Sequence, residues 1–327
     1  MARTIADRDI VSRAVAVATR APSLHNSQPW LWVLRGAELE LHLDHSRAVP
    51  NTDMSGREAL ISCGAVLHHL AVAMAAAGWV AHIDRFPNPN NPGHLATIGF
   101  SPAKTVTGTH RDRADAILRR HTDRLPFAEP ADFHDVEPAL YAALDGDGVR
   151  LDVLARQLRS ELAEASVFTE ATRRFNSAYH AELDWWTTPF DLSAGIPRSA
   201  LTSADESDRV AINRSFPIAG RGTRRGGLAE DHARILVLST PGDSRLDALA
   251  CGEALSAVLL ECTAAALSTC PVTHLIEYPP ARGVVSALIS DIARPQILIR
   301  VGRAPEIEKP PPPTPRRDLA DVLRYAG

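Results

Sequence analysis

Lysine is almost absent from this chain. Lys104 and Lys309 are the only two among 35 basic residues, and the rest are arginines. The formal net charge of −4 excludes nucleic-acid binding through bulk positive charge. Guanidinium in place of ammonium favours forked contacts to phosphate or carboxylate, although genome composition accounts for the same bias. Cysteine is also scarce. Cys63, Cys251, Cys262 and Cys270 show no C-x-x-C spacing, which argues against a zinc ribbon or a disulfide framework. They read as small buried hydrophobes in a reducing compartment, so a cytoplasmic location is expected. No charged start leads into a signal-type apolar run. The two long apolar stretches, 59–80 and 248–270, carry His68 and His69, and Glu253 and Glu261, which a lipid-facing helix would avoid. Both read as buried core helices.

Several chemical signatures are missing as well. Neither H-E-x-x-H nor G-x-S-x-G occurs. AGRGTRRGG is glycine-rich, but Arg225 stands where G-x-G-x-x-G needs its third glycine, and no strand precedes it. His42 and His45, or His68 and His69, are candidate metal ligands, but no carboxylate or cysteine completes a usual set, and adjacent histidines on a helix point apart. The expectation is no metal.

What is present is a globular pattern. Apolar residues make up 45% and charged residues 23% of 327. The spacing predicts a helix over 9–20, stopped by Pro22. WLWVLRGAELELHLD reads as a β-hairpin turning at Gly36. A long helix, SGREALISCGAVLHHLAVAMAAAGW, and a strand, VAHIDRF, follow. The second half repeats the order: strand RILVLS, long helix RLDALACGEALSAVLLECTAAALS, then THLIEYP, which matches AHIDRFP in letters. Both helices carry Cys-Gly near the start, Cys63-Gly64 and Cys251-Gly252. A mid-helix glycine costs about 1 kcal/mol relative to alanine, so two at equivalent places point to close backbone approach where the helices cross. The pattern reads as an internal duplication; convergence of alanine-rich helices is the competing account. Between the halves, 151–186 reads as helical and charged. An irregular run over 195–227 follows, either a lid or disordered.

Three segments could carry chemistry. APSLHNSQPW offers Ser23, Asn26 and Gln28, donors and acceptors on short stems. They suit a ligand edge that alternates donor and acceptor, or simply a capped turn. Arg120, Thr122 and Arg124 in RRHTDRLPF place two guanidiniums around a hydroxyl, which suits a phosphate or a solvated surface. PPPPTPRRDL is a stiff arm ending in Arg316 and Arg317, a phosphate ligand or a free tail.

Taken together, these segments resemble the FMN-dependent nitroreductase superfamily. APSLHNSQPW is similar to its P-S-x-x-N-x-Q-P-W, and RHTDR to its R-[RH]-[ST]-x-[RK]. The proline-rich end with basic residues before a final leucine is the third likeness. RHTDR follows APSLHNSQPW here, whereas ordinary members have the reverse order, and that arrangement resembles the Acg-like branch. The resemblance implies an α+β fold of two tandem nitroreductase-like repeats mimicking the family dimer. Antiparallel-type sheets would pack on long core helices, with a lid insertion. The repeats would span 1–108 and 109–327, with the lid over about 160–227 and the arm over 305–327.

The resemblance also implies one FMN site. Arg120, His121, Thr122 and Arg124 would hold phosphate and ribityl chain, with Arg316 and Arg317 at the phosphate. Pro22, Ser23, Asn26, Ser27 and Gln28 would reach the ring from the other half, and Thr273 and His274 would flank its reactive edge. The flavin would carry the redox work. NADPH or NADH would reduce it, and a nitroaromatic or quinone would reoxidise it. If Trp185, Trp186 or Phe190 of the lid covered the ring, nicotinamide would be shut out and the protein would store FMN. A monomeric pseudo-dimer or weak homodimer is expected, with no nucleic-acid or membrane partner.

Overall fold

The computed structural model describes residues 6–144, 148–188, 193–289, 293–307 and 312–326. The first half runs α1 (Arg8–Ala18), β1 (Trp30–Arg35), β2 (Glu38–Leu43), α2 (Arg57–Ala76), β3 (Trp79–Arg85) and β4 (His94–Pro102). Next come α3 (Gly108–Arg119), α4 (Phe133–Ala142) and β5 (Arg150–Val153). An insertion follows with α5 (Arg159–Arg173), α6 (Ser177–Thr187) and α7 (Ala204–Asp208). The chain then forms β6 (Arg234–Thr240), α8 (Arg245–Ala264), β7 (Ser268–Val272), α9 (His274–Glu277), α10 (Pro279–Leu288), β8 (Arg294–Gly302), α11 (Leu319–Val322) and β9 (Leu323–Ala326).

The strands form two sheets, ordered β3-β4-β2-β1-β9 and β5-β6-β8-β7. All pairings are antiparallel except β1 with β9. Without β9, the first sheet reads β3-β4-β2-β1 and the second β7-β8-β6-β5. Each is a pair of strands, a long helix and a second pair of strands, in the same spatial order. The fold is therefore the expected mixed α+β one.

The long helices α2 and α8 are the centre of the molecule. Both are apolar on nearly every face, as suits helices buried on all sides. Asp53 receives the Ala59 amide at the start of α2, and Ser244 with Asp247 makes a capping box on α8. They cross at Gly64 and Gly252. A Cβ on Gly64 would sit 2.0 Å from the Leu249 carbonyl oxygen, and one on Gly252 2.0 Å from that of Ile61. The close approach expected from the paired Cys-Gly motifs is present. Beside the crossing, His68 and His69 each place Nδ1 2.7 Å from Ser256 Oγ on α8. The expectation that these histidines point apart is corrected: a small serine lies where both can reach. α3 packs Ala116 and Ile117 against Val72 of α2 and Leu260 of α8.

Other sequence expectations also need correction. THLIEYP is not a strand but the turn into α9 and α10; β7 is STCPV, just before it. Its letters match HIDRFP, but its backbone does not. Leu151 sits in β5, not in a helix. β4 and β8 escaped the sequence reading. β8 is buried along almost its whole length, so it shows no alternation of apolar and polar residues.

Candidate functional site

Pro22, Ser23, Thr122, Arg124, Thr273 and His274 all border one cavity. Three chain segments meet there: the loop after α1, the loop after α3, and the junction of β7 with α9. The remaining wall includes Glu58, Ile61 and Ser62 from α2, Leu255 from α8, and Asn213, Arg214 and Phe216 from the insertion.

The loop APSLHNSQPW has an unusual backbone. His25, Asn26 and Gln28 have φ of 52°, 57° and 52°, in the left-handed region. Such residues cost on the order of 1–3 kcal/mol each and persist when their surroundings over-determine them. The surroundings here are specific. Ser23 Oγ accepts the Gln28 amide at 3.0 Å, and Ser62 Oγ accepts that of Leu24 at 3.2 Å. Asn26 Nδ2 donates to Gly195 O at 2.9 Å and to Pro315 O at 3.1 Å. Gln28 Nε2 donates to Ser193 O at 2.9 Å, and its Oε1 accepts the Arg317 amide at 2.9 Å. Asn26, Ser27 and Gln28 do not line the cavity. The two amides tie the insertion and the C-terminal arm to the loop, and the Ser27 carbonyl accepts from Arg47. The strain leaves His25 buried on the cavity wall.

Arg120 and Arg316 come together, and Arg20 joins them. Arg120 is 4% exposed and donates to Arg20 O at 2.9 Å, while its Nε and Nη1 have no partner. Arg316 donates to the carbonyls of Thr19, Arg20 and Ala21, and Arg20 to that of Thr314. Among the described residues no carboxylate pairs with any of the three. Burial, then the neighbouring Arg20, pushes the Arg120 guanidinium down to about 10. Burial, then Arg120 and Arg20, pushes Arg316 well below its usual value. Buried cations without a counter-charge are costly, so the cluster fits an anion. Arg317 lies apart, paired with Asp44 at 3.2 Å. His121 is exposed, in an outer groove that shares Thr122 and Arg124 with the cavity.

The insertion lines the cavity with Asn213, Arg214 and Phe216, and the expected Trp185 and Trp186 are not among the lining residues. Phe216 stands edge-on to His25 at 6.1 Å and lies 5.6 Å from the Arg124 guanidinium. Trp185 and Trp186 line a separate groove beside Arg47 and Glu182, and Phe190 lies outside the described residues. The described part of the 195–227 run is a lid held by ion pairs. Arg214 binds Glu277, Tyr179 Oη at 2.7 Å and Thr273 Oγ1 at 3.1 Å. Arg224 binds Glu206 at 2.7 Å, and Arg225 binds Asp123 at 2.5 Å. Burial alone would raise the Glu277 carboxyl, but Arg214 and Arg173 outweigh it and hold it at about 2. His274 Nε2 meets Ser166 Oγ of α5 at 2.8 Å. Burial, then Arg214, lowers His274 to about 3, and the same two causes hold His25 neutral.

Three atoms on this wall are buried without partners: His25 Nε2, His274 Nδ1 and Asn213 Nδ2. Buried polar atoms are nearly always satisfied, so their clustering here marks a place for a polar ligand. The sequence could not expose Asn213 and Phe216, which sit in a segment without periodicity, or Arg20, a lone arginine at a helix end. A separate cluster lies on β2 and β4, where Glu40, His42 and His94 bring ligand atoms within 4.8 Å of one another. A carboxylate and a second histidine do stand beside His42, contrary to expectation.

No family model matches the chain. A Mycobacterium tuberculosis protein named "Putative NAD(P)H nitroreductase acg" is 54% identical over 323 residues, covering 99% of this chain and 98% of that one. Another from the same organism, Rv3127, is 52% identical over 96% of this chain and 93% of its own. In fold, the chain is similar to a nitroreductase-type crystal structure from Anabaena variabilis, with TM-score 0.51, 9% identity, and coverage of 90% of this chain and 73% of that one. Identity of this extent along the whole length places the chain in the nitroreductase superfamily, in its Acg-like branch.

Proposed function

We propose that the protein is an FMN-binding, NAD(P)H-dependent oxidoreductase acting on nitroaromatic or quinone-type acceptors in the cytoplasm. One observation carries the reading: loops from both halves converge on a cavity whose wall holds three unpartnered buried polar atoms. Arg20, Arg120 and Arg316 do not line that wall, but Arg120 lies two residues before Thr122, which does, and among the described residues the cluster has no counter-charge. The donor set fits the cofactor. Arg20, Arg120 and Arg316 would take the phosphate, with Thr122 and Arg124 toward the ribityl chain. Asn213, His25 and His274 would serve the polar edges of the ring. Bound there, FMN supplies two-electron hydride chemistry. Arg124 and Arg214 are cations fixed on the wall and would stabilise negative charge developing in it. The lid excludes water. The matching strand orders of the two sheets support an internal duplication, with halves over 1–108 and 109–327. The α2–α8 crossing would then serve as the interface between subunits, leaving a monomer self-sufficient.

The pinned lid favours a second reading. Phe216 and Arg214 close the cavity, and Arg214 is anchored through Glu277. A lid that never opens would make the protein a holder of FMN. Anaerobic stopped-flow with NADPH and NADH tests both, read as loss of flavin absorbance. Rapid bleaching supports the oxidoreductase. Bound flavin that dithionite reduces but neither nucleotide does would establish storage.

A further inference from the structure

Glu58 is the one described residue that lines both the cavity and the outer groove bounded by Thr52, Arg57 and Glu277. It lies in the first turn of α2 and is 3% exposed. On the cavity side its neighbours are Ile61, Ser62, Leu255 and His25. On the outer side are Thr52, Ser55, Arg57 and Glu277. A buried carboxyl in a wall between ligand space and solvent is placed to carry protons across that wall.

Its partner strengthens this assignment. Asp53 Oδ2 accepts the Ala59 amide at 2.8 Å, while the buried Oδ1 meets no N–H or hydroxyl donor. Glu58 Oε1 accepts from the Arg57 guanidinium, and the neighbouring Asp53 carboxyl pushes Glu58 toward its protonated form. Close carboxyl pairs share one proton because both cannot ionise. Asp53 Oδ2 is taken up by the Ala59 amide, and burial together with the Asp53 carboxyl favours the neutral form of Glu58. The charged and titratable groups around Glu58 are Arg57 on the same turn, Asp53 before it, Glu277 on α9 and Cys251 on α8, with His25 on the shared cavity wall. Burial, then Asp53, pushes the Glu58 carboxyl well above its usual range, with Glu277 adding to the push and Arg57 opposing it. The other cavity groups cannot do this work. His25 and His274 are held neutral, Arg124 and Arg214 keep their protons, and burial raises the Cys270 thiol.

We infer that Glu58 is the proton donor of the cavity, passing protons from the outer groove to an acceptor oxygen. The inference rests on the oxidoreductase reading above. Reduction of a quinone to a hydroquinone takes one hydride equivalent, here from reduced flavin, and one proton. The O–H bond of Glu58 breaks and an O–H bond forms on the quinone oxygen. The electron pair stays on Glu58 as a carboxylate beside Arg57, and water in the groove returns the proton.

Infrared spectra of the protein without flavin give the first test. At pH 7 a protonated carboxyl stretch that shifts in D2O should be present, and Glu58→Gln should remove it. Asp53→Asn should move that band and keeps the assignment testable if the glutamine variant does not fold. The second test uses flavin-loaded protein reduced with dithionite and mixed with p-benzoquinone or ferricyanide. A general acid contributes about 10²–10⁴-fold. Glu58→Gln should therefore slow reoxidation by quinone at least about tenfold. With ferricyanide, which takes electrons without a proton, the rate should stay within a factor of about two. Absence of the carboxyl band, or quinone rates unchanged in the variant, would overturn the proposal. Failure of NADPH to reduce the wild type would sink the oxidoreductase reading alone, since dithionite still poses the question about Glu58.

Discussion

Gly64 on α2 and Gly252 on α8 touch at the helix crossing, where a Cβ on Gly252 would stand 2.8 Å from the Gly64 Cα. The obstacles on both sides are backbone atoms, which cannot rotate aside. Overpacking a well-packed core costs about 1–3 kcal/mol, occasionally more. Gly252→Ala should therefore lower stability by about 3 kcal/mol or prevent folding. Gly283→Ala on α10 has open space around its new methyl and should be neutral or gain up to about 1 kcal/mol from helix propensity. Urea melts of the two variants decide the point. Equal stabilities would mean that the helices can slide apart without loss.

The arginine cluster should behave differently with and without ligand. Arg120→Met keeps most of the volume and removes one of three repelling cations. Without flavin, the variant should be as stable as the parent or more so. A hydrogen bond to a charged group is worth about 1.5–3 kcal/mol, so its FMN affinity should fall by roughly ten- to a hundredfold. Fluorescence titration with FMN gives the comparison. Unchanged affinity would refute the phosphate role.

Acid should loosen the lid in two stages. His274 is held at about 3, below its ordinary 6.5, so the unfolded chain binds a proton that the folded one refuses. Stability is complete above 6.5 and falls as pH drops from there towards 3. Glu277 is held at about 2 against an ordinary 4.5, so its contribution is complete above 4.5 and lost as pH falls through 2. His274→Gln should flatten the first slope and Glu277→Gln the second. Melting temperature against pH measures both. Parallel curves for parent and variants would show that these groups are not linked to the fold.

Phe216 stands in the cavity wall beside His25 and Arg124. Fully burying such a side chain is worth about 1.5–3 kcal/mol, so Phe216→Ala should speed release of FMN by at least about tenfold. Release can be followed by trapping free flavin with an excess of competing apoprotein. An unchanged rate would place the exit route elsewhere, such as the outer groove by His121.

The parts of this molecule legible in its sequence are those with a repeated local cause. Cys63-Gly64 and Cys251-Gly252 pointed to the helix crossing because a glycine inside a helix needs a reason. Pro22, Ser23, Thr122, Arg124, Thr273 and His274 were legible as family motifs, and they reach one cavity. The failures also have causes. THLIEYP matched HIDRFP in composition, but prolines at its end start a helix. β8 carries no alternation because both its faces are buried. Asn213 and Phe216 reach the cavity through tertiary contacts of an irregular segment, which leave no periodic trace. Asn26 and Gln28 looked like ligand groups and instead fasten the lid and the arm.

The parallel pairing of β9 with β1 bears on how the protein is made. Leu323 sits opposite Trp32, and Arg316 reaches Thr19 and Arg20. A ribosome would release the first sheet with one edge open, and its arginine cluster short of a member, until the whole second sheet had been synthesised. During that interval the exposed edge of β1 is a strand template, and any anion site is incomplete. Loading with flavin would thus be a late event, following synthesis of both sheets and the arginine-bearing arm.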